Sequence, residues 1–336
     1  MSFAEHRVRT HFLLIAPAML LPAVPRAYGE IRQVPQATEQ VGMSRMEVIV
    51  RGPWGSAPGH FGKVDEASRP GPMDFAITQD ALYVLDPVNT RVQVFDLDGD
   101  FRREIAIGTR TADFMCVDAG GNVAVLDAFA RREFKMFSVS GELLVHAGVP
   151  ASIGLPSAIL ADGDRIWIEE RHNRVHEVSL EPGKRRAPAQ IVTSLTGRPL
   201  GRSHGTLHAR KEGADKVIIR TGTPQETGKS VTLRFPRRVT SIVTLESDDS
   251  GQIYVAAACP RDPGADQWKA DIMLVVIGPD GRIAGAMCMP DAYVTDHYRK
   301  LGVSRSGDII QMQTTEDQVR FVRCVLRPHT SERRSR

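Results

Sequence analysis

"LYVLDPVNTRVQVFDLDGDF", residues 82–101, holds two runs in which apolar and polar side chains alternate, joined by a polar loop and closed by Asp98-Gly99. Period-two alternation belongs to a β-strand, and Asp-Gly after such a run is a strong hairpin signal. The stretch reads as two antiparallel strands and the turn into a third. Whether it is a lone hairpin or one copy of a repeat decides the fold.

The same order of parts returns twice. "VAVLDAFARREFKMFSVSGEL" (123–143) and "IWIEERHNRVHEVSLEPGK" (166–184) each give a strand, an acid, a short loop, an Arg, a second strand and a Gly turn. Asp86 to Arg91, Asp127 to Arg132 and Glu169 to Arg174 are each five residues apart, and Gly99, Gly141 and Gly183 fall 42 apart. A shorter strand precedes each pair ("MDFAITQ", "ADFMCVD", "SAILAD"), and another follows the turn ("FRREIAIG", "ELLVHAGV"). A period of this size made only of strands and turns is that of a propeller blade.

Downstream, "GTLHARKEGADKVIIRTG" and "KSVTLRF", with a turn at Gly228, form a divergent fourth copy. "SIVTLESDDSGQIYVAAACP" and "DIMLVVIGPDGRIAGAMCM" make a fifth, turning at Gly281. The last unit, residues 301–326, has only three strands, and "MEVIV" at 46–50 is the candidate for its missing outer strand. Such pairing would close the ring and remove both sheet edges. The expected fold is all-β: a six-bladed β-propeller of four-stranded antiparallel blades, closed by an N-terminal strand.

The blades resemble the NHL repeat family. A Gly-rich, Pro-containing lead-in ("PWGSAPGHFGKVDEASRPGPMDFAIT"), a strand such as "LYVLD", a polar loop such as "PVNTR" and the Asp-Gly turn of "VQVFDLDGDF" carry the likeness. It spans residues 46–326 and is strongest at 46–148. The resemblance implies the propeller fold. It does not fix an activity, since NHL-like propellers range from protein and RNA binding to lyase and hydrolase chemistry on related scaffolds.

Outside the repeats, Arg7 and Arg9 precede the uncharged run "FLLIAPAMLLPAV", and Ala27-Tyr28-Gly29 places small residues at the cleavage positions of an export signal. Residues 1–29 are therefore expected to be a removed signal, 30–45 a linker and 327–336 a basic disordered tail. The protein would be secreted or periplasmic, without stable membrane insertion, because the run is shorter than the ~20 apolar residues of a span. Removing Glu5, Arg7, Arg9 and Arg26 from a chain with 43 Lys+Arg and 40 Asp+Glu leaves a net charge of +1, which disfavours nucleic acid as a partner. Export permits oxidation of Cys116, Cys259, Cys288 and Cys324. Cys259 with Cys288 is the expected pair, with buried free thiols the other reading.

No dinucleotide fingerprint, P-loop, G-x-S-x-G or H-E-x-x-H stands in the chain. "DLDGD" (96–100) reads as a turn, not a calcium loop, and Asp86 with Arg91 as a loop brace. His172 and His176, four apart, lack a third ligand. Aligning the inner strands brings Asp74, Asp113, Ser157, Thr240 and Lys300, with His204 for the fourth blade, to the channel mouth. Asp74 and Asp113 would be the metal ligands if calcium served a hydrolase or lyase there. The competing and preferred expectation is a binding scaffold without a cofactor, presenting loops to a protein, peptide or glycan. Residues 181–205 and 259–271 read as insertions, with Trp268, Arg185 and Arg186 as contact candidates. The sequence decides neither the ligand nor whether the protein is an enzyme.

Overall fold

The alternating runs form strands in a computed structural model of the chain, which describes residues 31–35, 43–65, 70–179, 189–200, 205–222, 228–261, 270–291 and 293–326. Six sheets result, each built on four antiparallel strands, with a fifth strand added in parallel to one of them. Blade one comprises Asp74–Ile77, Ala81–Asp86, Arg91–Asp96 and Phe101–Ala106. Blade two comprises Phe114–Val117, Val123–Asp127, Glu133–Phe137 and Leu143–Gly148. Blade three comprises Pro156–Asp162, Arg165–Glu170, Arg174–Val178 and Ile191–Thr196. Blade four comprises Arg198–Leu200, Gly205–Glu212, Lys216–Gly222 and Ser230–Arg234. Blade five comprises Ser241–Ser247, Ile253–Pro260, Ala270–Ile277 and Ile283–Met289.

Blade six is completed from the other end of the chain. Leu301–Val303, Ile309–Thr314 and Gln318–Leu326 are joined by Met43–Pro53, which runs antiparallel to the last of them with Val50 opposite Phe321. The closing strand also meets blade one. Gly99, in the turn after Arg91–Asp96, has φ of 100°, and a Cβ there would lie 1.8 Å from the Ile49 carbonyl oxygen. Only glycine fits that turn.

Two expectations need correcting. Residues 181–205 do not form one long inserted loop: Ile191–Thr196 is the outer strand of blade three and Arg198–Leu200 the inner strand of blade four. Arg198 thus takes the inner-strand place assigned to His204, which lies outside the described residues. The strand escaped notice because "RPL" is three residues long, contains Pro and follows a Gly, all of which read as loop. Secondly, Cys259 and Cys288 are free thiols, as are Cys116 and Cys324. Ala270–Ile277 runs between the strands that carry Cys259 and Cys288. Two strand spacings come to about 9.5 Å, beyond the ~7 Å Cα limit of a disulfide.

Residues 30–45, read as linker, contribute Ile31–Gln33 as a fifth strand that pairs in parallel with Ser230–Arg234. Residues 1–29 and 327–336 lie outside the described residues. No helix among the described residues is long and apolar enough to cross a membrane.

In each blade alternation sends one set of side chains to the preceding blade and the other to the next. Apolar clusters join blades one and two (Leu85, Val92, Met115, Val125), two and three (Phe114, Leu126, Ile159, Ile168), four and five (Leu207, Ile219, Val255, Val275), five and six (Tyr254, Leu274, Ile309), and six and one (Phe75, Val84, Phe321). Among the described residues no such cluster joins three and four. The blade-four face turned to blade three carries His208 opposite Arg220 and Arg210 opposite Ile218. Trp167 and Val175 of blade three and Ile218 of blade four are buried at this seam, and an ion pair crosses it.

Candidate functional site: the channel mouth and its charged floor

The strand order gives the ring two faces. The connections between blades and the loops after each second strand lie on one, called here the loop face. The remaining turns lie on the other.

The loops are fixed by acids at the ends of second strands, though each blade uses its acid differently. In blade one, Asp86 accepts hydrogen bonds from Arg91 Nε at 3.2 Å, Asn89 Nδ2 at 2.8 Å and the Gly62 amide at 3.1 Å, the bracing read from the sequence. In blade two, Asp127 accepts from the amides of Ala130 and Arg131, while Arg132 donates to the Ile153 and Gly154 carbonyls. In blade three, Glu169 turns away from Arg174 altogether. It stands on the strand face opposite Ile166 and Ile168, whose side chains pack against blade two, and so points towards blade four.

There it meets Arg198. Arg198 Nε and Nη2 donate to the two Glu169 oxygens at 2.6 and 3.1 Å, and Nη1 to the Leu245 carbonyl at 3.0 Å. Across the axis, Arg299 places Nε 2.8 Å from Asp74 Oδ1 and Nη1 2.9 Å from Glu246 Oε1. Asp74 also accepts from the amides of Phe75 and Met115, and Glu246 from that of Val303. Three carboxylates and two guanidiniums from blades one, three, four, five and six therefore fill the axis, and blade two adds the Met115 amide.

Their electrostatics follow from burial and pairing. Burial alone would lift the Glu169 carboxyl, but the Arg198 guanidinium and the His172 ring outweigh it and hold it far below the usual range. Burial works to discharge Arg299 too, and the Asp74 and Glu246 carboxylates overcome it and raise its pKa.

This lattice divides the channel. A cavity of about 140 Å³ on the loop-face side and one of about 190 Å³ on the turn side share Arg198, Leu207, Leu245, Glu246 and Arg299 as their common wall. The upper cavity opens past Ser157, His172 and Tyr298. Phe114, Phe129 and Tyr298 form an aromatic group at its rim, with centroids 4.6 to 6.3 Å apart. Phe129 and Tyr298 are 48% and 46% exposed, and Leu155 nearby in the chain order of the loop face is 52% exposed. Beside them Asp113 accepts from the Ala128 amide at 2.8 Å and from the Tyr298 hydroxyl. Burial, reinforced by the Asp127 charge, pushes its carboxyl up to about 6.

The sequence candidates are thus dispersed. Asp74 belongs to the charged floor and Asp113 to the rim, each with its own set of partners. Ser157 lines the upper cavity, where its hydroxyl donates to Glu169 Oε2 at 3.0 Å and accepts the His172 amide at 2.8 Å. Thr240 and Lys300 line a separate basin described below. His204, Trp268, Arg185 and Arg186 lie outside the described residues. His172 is exposed at the rim, whereas His176 is buried between Ser194 and Glu170. No cluster of three or more His, Cys, Asp or Glu suited to a metal ion occurs among the described residues.

Sequence reasoning missed Glu169, Arg198, Glu246 and Arg299 as a set. A weak signal existed: blade three ends its second strand in Glu169-Glu170, where the other two early copies have a single Asp. Arg198 and Arg299 carried none, because Arg198 pairs with Glu169 across 29 residues of chain and Arg299 with Glu246 across 53.

No family model and no curated protein matches the chain. Among solved structures it is similar to hydrazine synthase of Kuenenia stuttgartiensis, with 12% identity, 74% of each chain covered and a TM-score of 0.47. It is similar to virginiamycin B lyase from Staphylococcus aureus, with 11% identity, 79% of this chain and 99% of that one covered and a TM-score of 0.43. A Bacteroides fragilis protein described as exported gives 11% identity, coverage of 88% and 99%, and a TM-score of 0.49. Likeness of this degree brings no activity with it.

Proposed function

We propose that this protein is an exported, NHL-like propeller that binds an extended acidic peptide segment of a partner protein on its loop face. The exposed aromatic group formed by Phe129 and Tyr298 over Phe114 carries the reading. Large apolar side chains left in water beside a polar cavity are how interaction sites anchor a partner. The charged floor supports the same reading, because it turns the channel into a shallow socket.

The charge of the loop face selects the acidic class. Arg110, Arg171 and Arg174 are exposed on it, and none of the three pairs with a described carboxylate. Of the acids nearby, Glu133 is engaged with His146, Glu169 with Arg198, and Glu170 with His176 and the Gly154 amide, while Asp113 and Asp296 stand beside Tyr298. Export rests on the leader-like pattern of residues 1–29.

The test is fluorescence polarisation against labelled peptides that vary in acidic and aromatic content. Acidic-aromatic peptides bind, and Phe129→Ala or Tyr298→Ala weakens them about tenfold or more. Arg171→Ala with Arg174→Ala mainly slows association and flattens its salt dependence. Absence of binding, or binding indifferent to the rim variants, refutes the proposal. A calcium-induced thermal shift that Asp113→Asn abolishes would favour the metal-dependent hydrolase or lyase instead.

A further inference from the structure

The largest cavity described lies away from the axis. A basin of about 610 Å³ is lined by residues of blades four, five and six, among them Lys211, Arg238, Thr240, Asp291, Asp296 and Lys300. Its volume falls within the ~300–1,000 Å³ of small-molecule sites.

The groups around it divide into two kinds. Lys300 is already committed: its Nζ lies 2.9 and 3.2 Å from the Asp291 oxygens and 4.4 Å from the centroid of Tyr293. The Tyr293 ring is backed in turn by His297, whose centroid is 4.0 Å away. His297 Nδ1 donates to the Thr295 carbonyl, and burial with the Lys300 charge pulls its pKa down to about 4, so it adds no cation. Lys211 and Arg238 are different. Both are exposed, Lys211 donates only to the Val239 carbonyl at 3.4 Å, and neither pairs with a described carboxylate. They leave an uncompensated positive edge.

The remaining groups suit hydroxyls. Thr240 uses its hydroxyl proton on the Ala258 carbonyl at 3.0 Å, so towards a ligand it is an acceptor. Asp296 is exposed and offers two carboxylate oxygens. Ser241 is exposed and can donate or accept. A molecule with a carboxylate at one end and several hydroxyls along its length satisfies the whole set. A neutral sugar leaves the cations unanswered, and a simple anion leaves the acceptors so.

We infer that the basin between blades four, five and six binds a polyhydroxylated carboxylate of monosaccharide size, the class of the hexuronic acids. Neither Phe129 nor Tyr298, the anchors of the peptide surface, lines this basin.

Isothermal titration calorimetry tests this with glucuronate and galacturonate as probes, and with glucose and acetate as controls. Uronate binding is expected, with glucose and acetate each weaker by about tenfold or more. Arg238→Gln and Lys211→Gln each reduce uronate affinity by a similar factor, and since both residues are exposed the melting temperature stays unchanged. Phe129→Ala leaves uronate binding intact. No uronate binding at millimolar concentration, acetate binding as tightly as uronate, or full affinity in both charge variants would overturn the inference.

Discussion

Replacing Arg198 by Met should be costly to this propeller, because it acts at the one seam where no apolar cluster is found among the described residues. Glu169 is 2% exposed and its two oxygens receive Arg198 Nε and Nη2. Methionine keeps the length of the side chain but strands a buried carboxylate. Breaking a buried pair from one side costs about 3–5 kcal/mol. At about 2.1 cal/mol/K of unfolding entropy per residue, a chain of this size loses about 4–7 °C of melting temperature. The assay is thermal and urea unfolding of wild type, Arg198→Met, Glu169→Gln and the double variant. The pair variant Glu169→Gln with Arg198→Met leaves no stranded charge and should recover more than half of the loss. The same cycle has a pH signature. The folded Glu169 carboxyl sits below its ordinary 4.5, so the pair stabilises above that value and its contribution fades as pH falls beneath it. Wild type should therefore lose stability below pH 4.5 more steeply than the double variant. An Arg198→Met protein as stable as wild type, or a double variant no better than the single ones, would refute this account of the seam.

The Asp113 carboxyl behaves in the opposite sense: raised from 3.8 to about 6, it binds a proton in the folded state before the unfolded one, so its effect favours folding as pH falls across that interval. Asp113→Asn should remove that dependence, seen as a flatter melting temperature between pH 4 and 6. Gly99→Ala should destabilise by about 1–3 kcal/mol from backbone conformation alone. The clash with the Ile49 carbonyl adds to this, and exchange of the closing-strand amides should accelerate; unchanged protection would count against closure through that contact. All four cysteines should titrate as free thiols in denaturant after non-reducing purification, and a deficit of two would restore the Cys259–Cys288 bond.

Much of the architecture was legible because a propeller is built from local pattern. Alternation, the Asp-Gly turn and the 42-residue spacing each depend on a few neighbouring residues, and each copy confirms the others. The closing strand could be inferred from the deficit of the last unit. Asp86 with Arg91 was readable as a brace because both partners lie within one loop. Where the local signals were weak the reading slipped: Arg198–Leu200, three residues with a proline, passed for loop and displaced the inner strand of blade four.

The functional groups were a different matter. Asp127–Arg132 and Glu169–Arg174 repeat the spacing of Asp86–Arg91, yet only the first blade uses it for an ion pair. Nothing local tells Glu169 to ignore Arg174 and cross to Arg198, because that choice is made by which face of the strand looks at blade four. By itself the sequence determined most of the strands and turns, the number of blades and the closure of the ring, all of which arise from short-range stereochemistry. Only the tertiary structure decided that five side chains from five blades meet at the axis and seal it, and that Thr240 and Lys300 serve a different basin from Asp74. Such groups are brought together by ring closure, which sets distances between residues up to the length of the chain apart and leaves no mark on their spacing in sequence.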